Sequence, residues 1–208
     1  VDGMIQVVIS GSVDTSTVGN YTITYTATDS SGNSVSVTRT VQVVSAPTIY
    51  FENGICKCPN ASAGDTAVIN GVTYTVVDDS TIAGGTYPSE GQIGAGNYNL
   101  CTTLVTTMSE LFRNYFTSFN SDISFWDTSN VTTMRYMFRD ATAFNQDIGS
   151  WDVSNVVNME GMFWAATNFN QDISGWCVSN IASKPTNFSV NSPLPDAKKP
   201  VWGTCPGG

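Results

Sequence analysis

The fold of this chain is decided by an eight-residue stretch, Phe144-Asn145-Gln146-Asp147-Ile148-Gly149-Ser150-Trp151. Close copies of it begin at Phe119 and at Phe169, so the copies are spaced 25 residues apart. A repeat of this length is typical of solenoid proteins. Because one such unit is too small to bury its own apolar face, we expect the units to stack on one another and to share one elongated core.

The remainder of each repeat indicates its local structure. Residues Asn130 to Met134 form a short segment that is compatible with a β-strand, whereas the segment from Met137 to Phe144 has apolar residues at i, i+1, i+4 and i+7, on one helical side. The sequence therefore predicts one short strand and one or two helical turns in each coil. The Asn and Asp residues that recur at fixed offsets are expected to tie the turns together rather than to bind a ligand.

The repeated pattern, Phe-Asn-x-Asp-Ile-x-x-Trp-Asp-x-Ser-Asn-Val-x-x-Met-x-x-Met-Phe, resembles that of the BspA-type leucine-rich-repeat surface proteins. The resemblance covers about 80 residues, with many positions repeated in register. It implies a leucine-rich-repeat-like solenoid on a secreted or cell-surface protein, most often a bacterial one with an adhesive role. It implies no active site.

The N-terminal region has the pattern of an antiparallel sheet. Apolar and polar residues alternate from Tyr21 to Thr28 and from Val35 to Val43, with turn-forming residues between them, and this predicts a hairpin. The segment Ile5 to Ile9 predicts one more strand. The stretch from Gly19 to Asn33 resembles the closing hairpin of bacterial Ig-like surface modules, which implies that the first strands of the sandwich are absent here. Either this sequence is part of a longer protein, or a neighbouring subunit supplies a strand and builds a filament.

The predicted fold class is mixed: a partial antiparallel Ig-like β-sandwich precedes a capped leucine-rich-repeat-like solenoid with short strands and short helices. Pro47 marks a linker, and the pair Asn70-Gly71 predicts a type I′ turn in a second hairpin that serves as a cap. We assign the predicted regions as 1–44 for the partial Ig-like domain, 45–100 for the linker and N-terminal cap, 101–183 for about three repeats, and 184–208 for an irregular C-terminal cap.

Composition excludes several function classes. Only 12% of the residues are charged, 17 acidic residues face 8 basic ones, and histidine is absent. The small number of basic residues argues against a nucleic-acid partner, and without histidine a hydrolytic triad cannot be assembled. The repeated Asp122, Asp147 and Asp172 share one environment, unlike a catalytic carboxylate pair. No apolar run is long enough for membrane insertion. We expect an extracellular protein without enzymatic activity.

The five cysteines indicate an oxidising compartment. Cys177 replaces the Asp that follows Trp in the earlier repeats, and we predict that it forms a disulfide with Cys205 in the tail. Cys101 opens the first coil, and we pair it with Cys58 or with Cys56, with Cys58 as the first choice. Zinc binding by these three cysteines is the alternative, disfavoured because no histidine is present.

No cofactor is predicted. Calcium is the one ion that the sequence leaves open, because several aspartates in loops offer oxygen ligands. None of them has the alternating spacing of a known calcium loop, so surface acids are the preferred interpretation: Asp2, Asp14, Asp29, Asp78 and Asp79.

Positions that differ between copies of the repeat are the candidates for ligand binding. Arg135 becomes Glu160, Tyr136 becomes Gly161, and Arg139 becomes Trp164 in the next copy. Aromatic and guanidinium groups dominate protein interfaces. We therefore predict that these positions point outward and that the binding residues are Arg135, Tyr136, Arg139 and Trp164.

The sequence as a whole favours an extracellular adhesin or surface-display module that binds protein or glycan through its repeats. The alternative hypothesis is a structural subunit of an extracellular filament or sheath, in which copies of the chain are partners through strand complementation.

Overall fold

The computed structural model describes residues 5–44, 48–83, 92–114 and 116–207. The chain divides into two compact units, Val1–Ala46 and Pro47–Gly208. Residues 45–47, most of the predicted linker, lie outside the described residues. Most regular structure in the described ranges is antiparallel strand; helix is limited there to a five-residue α-helix and one turn of 3₁₀ helix. No helix in those ranges is long and apolar enough to cross a membrane.

The first unit is a three-stranded antiparallel sheet in the order β1-β2-β3. Its strands are β1 (Gln6–Ser10), β2 (Gly19–Thr28) and β3 (Ser34–Val43). The predicted hairpin between β2 and β3 is confirmed. Its turn is held by Asp29, whose carboxylate accepts hydrogen bonds from the backbone N–H groups of Ser31 and Asn33.

One face of this sheet is apolar and open to solvent. Ile9, Tyr25 and Val37 lie opposite one another across the three strands, and so share a face. The side chains that are more than half exposed include Val7 (56%), Ile9 (63%), Val35 (66%) and Val37 (62%). An Ig-like β class is consistent with this single layer. Within the described part of this unit, no second layer covers the apolar face.

The second unit begins with two hairpins. The turn at Asn70 and Gly71 has positive φ at both residues, 52° and 82°, so it has the predicted type I′ geometry. A parallel partner of the second hairpin was not predicted: β8 pairs with β7, in the sheet order β6-β7-β8. The elements are β4 (Tyr50–Glu52), β5 (Ile55–Lys57), β6 (Thr66–Ile69), β7 (Val72–Asp78), α1 (Asp79–Ala83) and β8 (Leu100–Leu104), and the 3₁₀ turn spans Asp196–Lys198.

The helical turns predicted from Met137 to Phe144 are absent from this described segment, which is a succession of turns. Beyond its first turn, a helix needs its N–H groups to bond to carbonyl groups of the same segment. Here alternate N–H groups are donated to the next repeat instead: Tyr136 to Glu160 O, Phe138 to Met162 O and Asp140 to Trp164 O, each at 2.9 Å. The N–H groups between them close local turns, and Tyr136 and Asp140 have positive φ. The apolar positions do face the interior, but the helix prediction was wrong.

The same hydrogen-bonding pattern extends beyond the three copies that the sequence shows clearly. Glu110, Phe112 and Asn114 donate to the repeat after them, and Gly161, Phe163 and Ala165 donate to 186–190 in the tail. The predicted strand of each repeat is reduced to isolated parallel bridges, Thr107 with Thr133 and Thr133 with Asn158. Neighbouring repeats are therefore joined mainly through turns.

Aromatic rings fill the shared interior. Two columns of near-parallel phenylalanines run across the repeats, and rings of neighbouring columns lie 4.0 Å apart. Along one column the ring centroids are 5.3 and 5.6 Å apart. All these rings are buried. The columns consist of Phe112, Phe138 and Phe163, and of Phe119, Phe144 and Phe169.

Recurring polar groups satisfy the backbone of the turns, as the sequence predicted. The side-chain oxygen of Asn120 accepts the N–H of Asn145, and Asn145 does the same for Asn170. The indole N–H of Trp151 donates to Ile123 O, one repeat earlier. The repeated aspartates act locally, because each accepts the N–H two residues later: Asp122, Asp147 and Asp172.

One partly buried ion pair joins the N-terminal hairpins to the first repeat. Lys57 Nζ lies 2.9 Å from Asp127 Oδ1, and the Asp127 side chain is 2% exposed. Thr103 and Ser129 also donate to this carboxylate. Burial alone would raise the pKa of Asp127, but the hydrogen bonds from Lys57, Ser129 and Thr103 outweigh it, and the pKa falls below its ordinary value of 3.8.

Because the folded-state pKa of Asp127 is lowered, its contribution to stability is present above pH 3.8 and is lost as the pH falls through the folded value.

We predict that Asp127→Asn lowers the free energy of unfolding by about 1–3 kcal/mol at neutral pH, since Lys57 loses its partner. The difference from the wild type should shrink in acid. Urea denaturation at neutral and acidic pH measures both effects. Asp152→Asn, at the equivalent exposed position one repeat later, is the control. An equal loss in both variants would contradict the role of the ion pair.

Candidate functional site

The four residues predicted to bind a ligand come together on the turn segments of two neighbouring repeats. The Arg135 guanidinium lies 4.2 Å from the centre of the Tyr136 ring, and the Arg139 guanidinium lies 4.2 Å from that of Trp164. Arg139 also lies 5.4 Å from the Tyr136 ring. These are cation–π distances. A fifth residue, Arg113, approaches the Tyr136 ring at 5.2 Å. We call these five residues the aromatic–arginine cluster.

Carboxylates surround the cluster. Arg135 bridges Glu110 and Glu160, at 3.2 and 3.1 Å, and Arg113 pairs with Glu110 at 2.6 Å. The Tyr136 hydroxyl donates to Glu160 Oε1 at 2.6 Å. This hydrogen bond raises the pKa of Tyr136 and lowers that of Glu160. Hydrogen bonding to Glu160 likewise raises the pKa of Arg135. Tyr136 therefore stays protonated at neutral pH, and Glu160 and Arg135 both stay charged.

Exposure differs among the predicted residues. The side chains of Arg135 and Arg139 are 41% and 25% exposed, and Trp164 is half-buried. Tyr136 is 9% exposed, so it does not point outward as predicted. It lies beneath the arginines and serves as their support. The surface offered to a partner is thus formed by guanidinium groups and one indole.

Three further residues of this region were not predicted to take part in the site: Arg113, Glu110 and Glu160. Arg113 and Glu110 lie in a less regular copy of the repeat that precedes the three clear ones, 26 residues rather than 25 before Arg139 and Tyr136. Glu160 was noted only as the replacement of Arg135, although residues at equivalent positions of stacked repeats are direct neighbours. That rule would have predicted the Arg135–Glu160 pair.

Gly161 provides the space that the Tyr136 ring occupies. A Cβ built on Gly161 would collide with the ring carbons of Tyr136. Gly161 also has φ of +57°, in the left-handed region that glycine adopts most readily. The tyrosine in one repeat and the glycine in the next therefore form a matched pair, which explains why this position varies so strongly between copies.

The cysteine predictions have mixed outcomes. The disulfide between Cys177 and Cys205 is present. Cys58 and Cys101 are free thiols, as is Cys56, so the predicted bridge is not formed. Cys101 is buried in one cluster with the other two thiols and hydrogen-bonds to both. These contacts raise the pKa of Cys101, while hydrogen bonding to Cys101 lowers that of Cys58 to about 7.

The structure assigns hydrogen-bonding roles to four of the five aspartates that the sequence left open for calcium. Asp14, Asp29 and Asp78 each accept hydrogen bonds from their own turns, and this lowers the pKa of all three. Asp79 accepts from the N–H groups of Thr106 and Thr107. Asp2 lies outside the described residues. Within the ranges described, no group of three or more Asp, Glu, His or Cys residues is arranged to hold a metal ion.

Comparison with known families gives two matches. Residues 90–197 match the family described as "Mycoplasma protein of unknown function, DUF285". Residues 2–43 match the family described as "Bacterial surface protein, Ig-like domain". No curated protein and no solved structure matches the chain. The second match covers the predicted N-terminal hairpin.

We predict that Gly161→Ala displaces the Tyr136 ring and lowers the free energy of unfolding by about 1–2 kcal/mol, because the new methyl group meets the ring and the backbone has positive φ. Chemical denaturation measures the stability, and the near-ultraviolet circular dichroism of the folded protein reports the ring. Gly175→Ala is the matched control, since no atom lies within 4 Å of the place that its Cβ would take. If the two variants behaved alike, Gly161 would not be the support of Tyr136.

Proposed function

Because the chain belongs to the DUF285 family and carries a bacterial surface Ig-like match at its N-terminus, we propose that it is a non-catalytic extracellular binding module. Its partner is a protein or glycan on another surface, which makes it an adhesin or a surface-display module. In this proposal the stacked repeats form a leucine-rich-repeat-like solenoid that presents the aromatic–arginine cluster.

The solenoid is supported by the transfer of hydrogen bonds from repeat to repeat. Each repeat donates alternate N–H groups to the next, from Glu110 to Ala165. The phenylalanine columns cross the same boundaries. A stack of this kind has a rigid surface on which neighbouring repeats place different side chains next to each other.

The aromatic–arginine cluster is the observation that carries the binding proposal. The chain has four arginines, Arg39, Arg113, Arg135 and Arg139, and three of them lie in this cluster. The chain is otherwise strongly acidic, with net charge −9. Arginine and aromatic residues supply most of the binding energy at protein interfaces. Their concentration on one rigid surface favours a binding site over neutral surface.

The absence of a catalytic role is supported by the chemistry of the repeated residues. The chain has no histidine to serve as a base. Asp122, Asp147 and Asp172 each accept the same backbone hydrogen bond, so their environments do not differ as those of an acid and a base must.

We predict that Trp164→Ala and Arg139→Lys each weaken partner binding about tenfold, while the fold is retained. The lysine keeps the charge but loses the planar stacking on Trp164. The measurement is binding of the labelled chain to an array of extracellular-matrix proteins and cell-surface glycans, followed by titration with the strongest ligand. Circular dichroism checks the fold.

Val157→Ala is the matched control, because Val157 is 61% exposed on the same repeat and lies outside the cluster. Unchanged affinity in both cluster variants would remove the cluster from the proposal. An array on which no spot binds would contradict the binding function itself.

The exposed apolar face of the first sheet favours a second candidate, a subunit of an extracellular filament or sheath. The strands β1 and β3 are both edges, and an edge strand is a template for pairing with another chain. Copies of the chain would then be its partners through strand complementation.

For this second candidate we predict regular polymers of the purified protein in negative-stain electron microscopy. Val37→Lys, on the apolar face of β3, should disperse them, because a charge would be buried in the contact. Ser36→Lys, on the opposite face of the same strand, should leave them intact. Dispersed wild-type particles would rule out the filament and leave the binding module unaffected.

A further inference from the structure

A groove of about 460 Å³ lies between the N-terminal hairpins and the first repeat. Its volume is within the usual range for small-molecule sites, about 300–1,000 Å³. Three aromatic rings line it, together with four polar side chains. The aromatic lining consists of Tyr74, Tyr98 and Phe125, and the polar lining consists of Asn97, Asn99, Ser121 and Asp122. We call it the aromatic groove.

The repeat pattern shows that Tyr98 occupies a framework position, that is, a position with the same structural role in every repeat. The indole N–H of Trp126 donates to Tyr98 O at 3.1 Å, as Trp151 donates to Ile123 O and Trp176 to Ile148 O. Tyr98 thus takes the place that isoleucine has in the next two repeats. An isoleucine would suffice for the stack, so the ring and hydroxyl of Tyr98 are available for another purpose.

Packing holds the three rings in place. The rings of Tyr74 and Phe125 are perpendicular, 86° apart, with centroids 5.7 Å from each other, so they form a corner. Phe51 packs against both, at 5.1 and 6.1 Å. The Tyr98 ring packs against Phe119 at 4.9 Å. A ligand therefore meets preformed aromatic surfaces and does not have to order them.

Three residues at the groove have donor or acceptor atoms that form no hydrogen bond with the described residues. Asp122 accepts the Ser124 N–H through Oδ1, and among the residues described here nothing donates to its Oδ2. The Asn99 side chain and the Tyr98 hydroxyl likewise have no hydrogen-bond partner within the described ranges. Partial burial raises the pKa of Tyr98, so its hydroxyl remains a donor at neutral pH.

The aromatic groove can be compared with a second groove of the same chain. A second groove of about 430 Å³ lies between the next repeats and has the same kind of aspartates, Asp147 and Asp172. At the two positions equivalent to Phe125 it has Ser150 and Gly175, and no aromatic residue lines it. The aspartate and the groove belong to the repeat, whereas the aromatic surfaces are added only at the first repeat.

We propose that the aromatic groove binds a neutral hexopyranose unit of a glycan. A pyranose has C–H faces that pack on aromatic rings and hydroxyl groups at its edge that suit a carboxylate, an amide and a phenol. Asp122 is the single charged residue of the lining and no basic side chain is present there, so a sugar acid is repelled. The groove uses no residue of the aromatic–arginine cluster, so it goes beyond the binding surface proposed above.

The test is a titration of the whole chain with the methyl glycosides of glucose, galactose and mannose, with N-acetylglucosamine and with glucuronic acid. Saturation-transfer-difference and amide NMR detect binding and locate it. We expect at least one neutral sugar to bind with Kd on the order of 1 mM. We expect Tyr98→Ile and Asp122→Asn to weaken it about tenfold.

The controls come from the repeat itself. Tyr98→Ile restores the residue of the later repeats, and Asp122→Asn reproduces Asn97, which makes the same turn hydrogen bond one repeat earlier. Both variants should therefore fold. Asp172→Asn, in the second groove, and Trp164→Ala, in the aromatic–arginine cluster, should bind the sugar as the wild type does.

Three results would overturn the proposal: no neutral sugar perturbs the groove, glucuronic acid binds more tightly than the neutral sugars, or Asp172→Asn weakens binding as much as Asp122→Asn. An array protein whose binding is lost in Tyr98→Ile, without any sugar binding, would also overturn it and identify a protein ligand. None of these results alters the binding expected at Trp164, so failure here is distinguishable from failure of the proposed function.

Discussion

The second unit depends on the donation of alternate backbone N–H groups from each repeat to the next. A buried N–H without an acceptor is costly, so each repeat is stable only with the next one in register. At Tyr136, Phe138 and Asp140 these bonds are all 2.9 Å long. Positive φ at Tyr136 and Asp140 accompanies this alternation. Because these N–H groups donate to the next repeat, they are not available for the hydrogen bonds of a helix. The segment therefore forms turns, although its apolar residues have the spacing of a helix.

A consequence of this register is that every side chain has its counterpart of the next repeat as a neighbour. Repeated phenylalanines therefore form columns, and repeated asparagines form ladders. Where the residue type changes, the two versions must fit each other. Arg135 faces Glu160, and the Tyr136 ring lies over Gly161. A change of side chain at a surface position is thus accompanied by a complementary change one repeat away.

The sequence predicted those features whose signal is local or periodic. The repeat, the two hairpins with their turns, the Cys177–Cys205 bridge and the role of the asparagines follow from such signals. The helix was mispredicted because periodicity tells which side chains face inward but not which acceptor a backbone N–H finds. The Lys57–Asp127 pair could not be predicted, because 70 residues separate its partners and only the placement of β5 brings them together.

The candidate site was predictable only in part for the same reason. Arg135, Tyr136, Arg139 and Trp164 were recognised as variable positions, but burial of Tyr136 depends on arginines that come from two repeats. The free thiols of Cys56, Cys58 and Cys101 present a similar case, because one cysteine between two equivalent neighbours has no unique partner that spacing could identify.

Departures from the repeat are concentrated where a repeat lacks a like neighbour on one side. Before the first clear repeat, Tyr98 and Cys101 take the places of isoleucine and tryptophan, and the hairpins pack there. After the last, the Phe188 ring turns to 88° from Phe163, so the column of parallel rings stops, and Trp202 packs on its other side. A framework position is constrained by two neighbours inside the stack but by only one at its boundary. The boundary residues are therefore the ones that can change chemistry without disturbing the register, and the aromatic groove has formed at such a place.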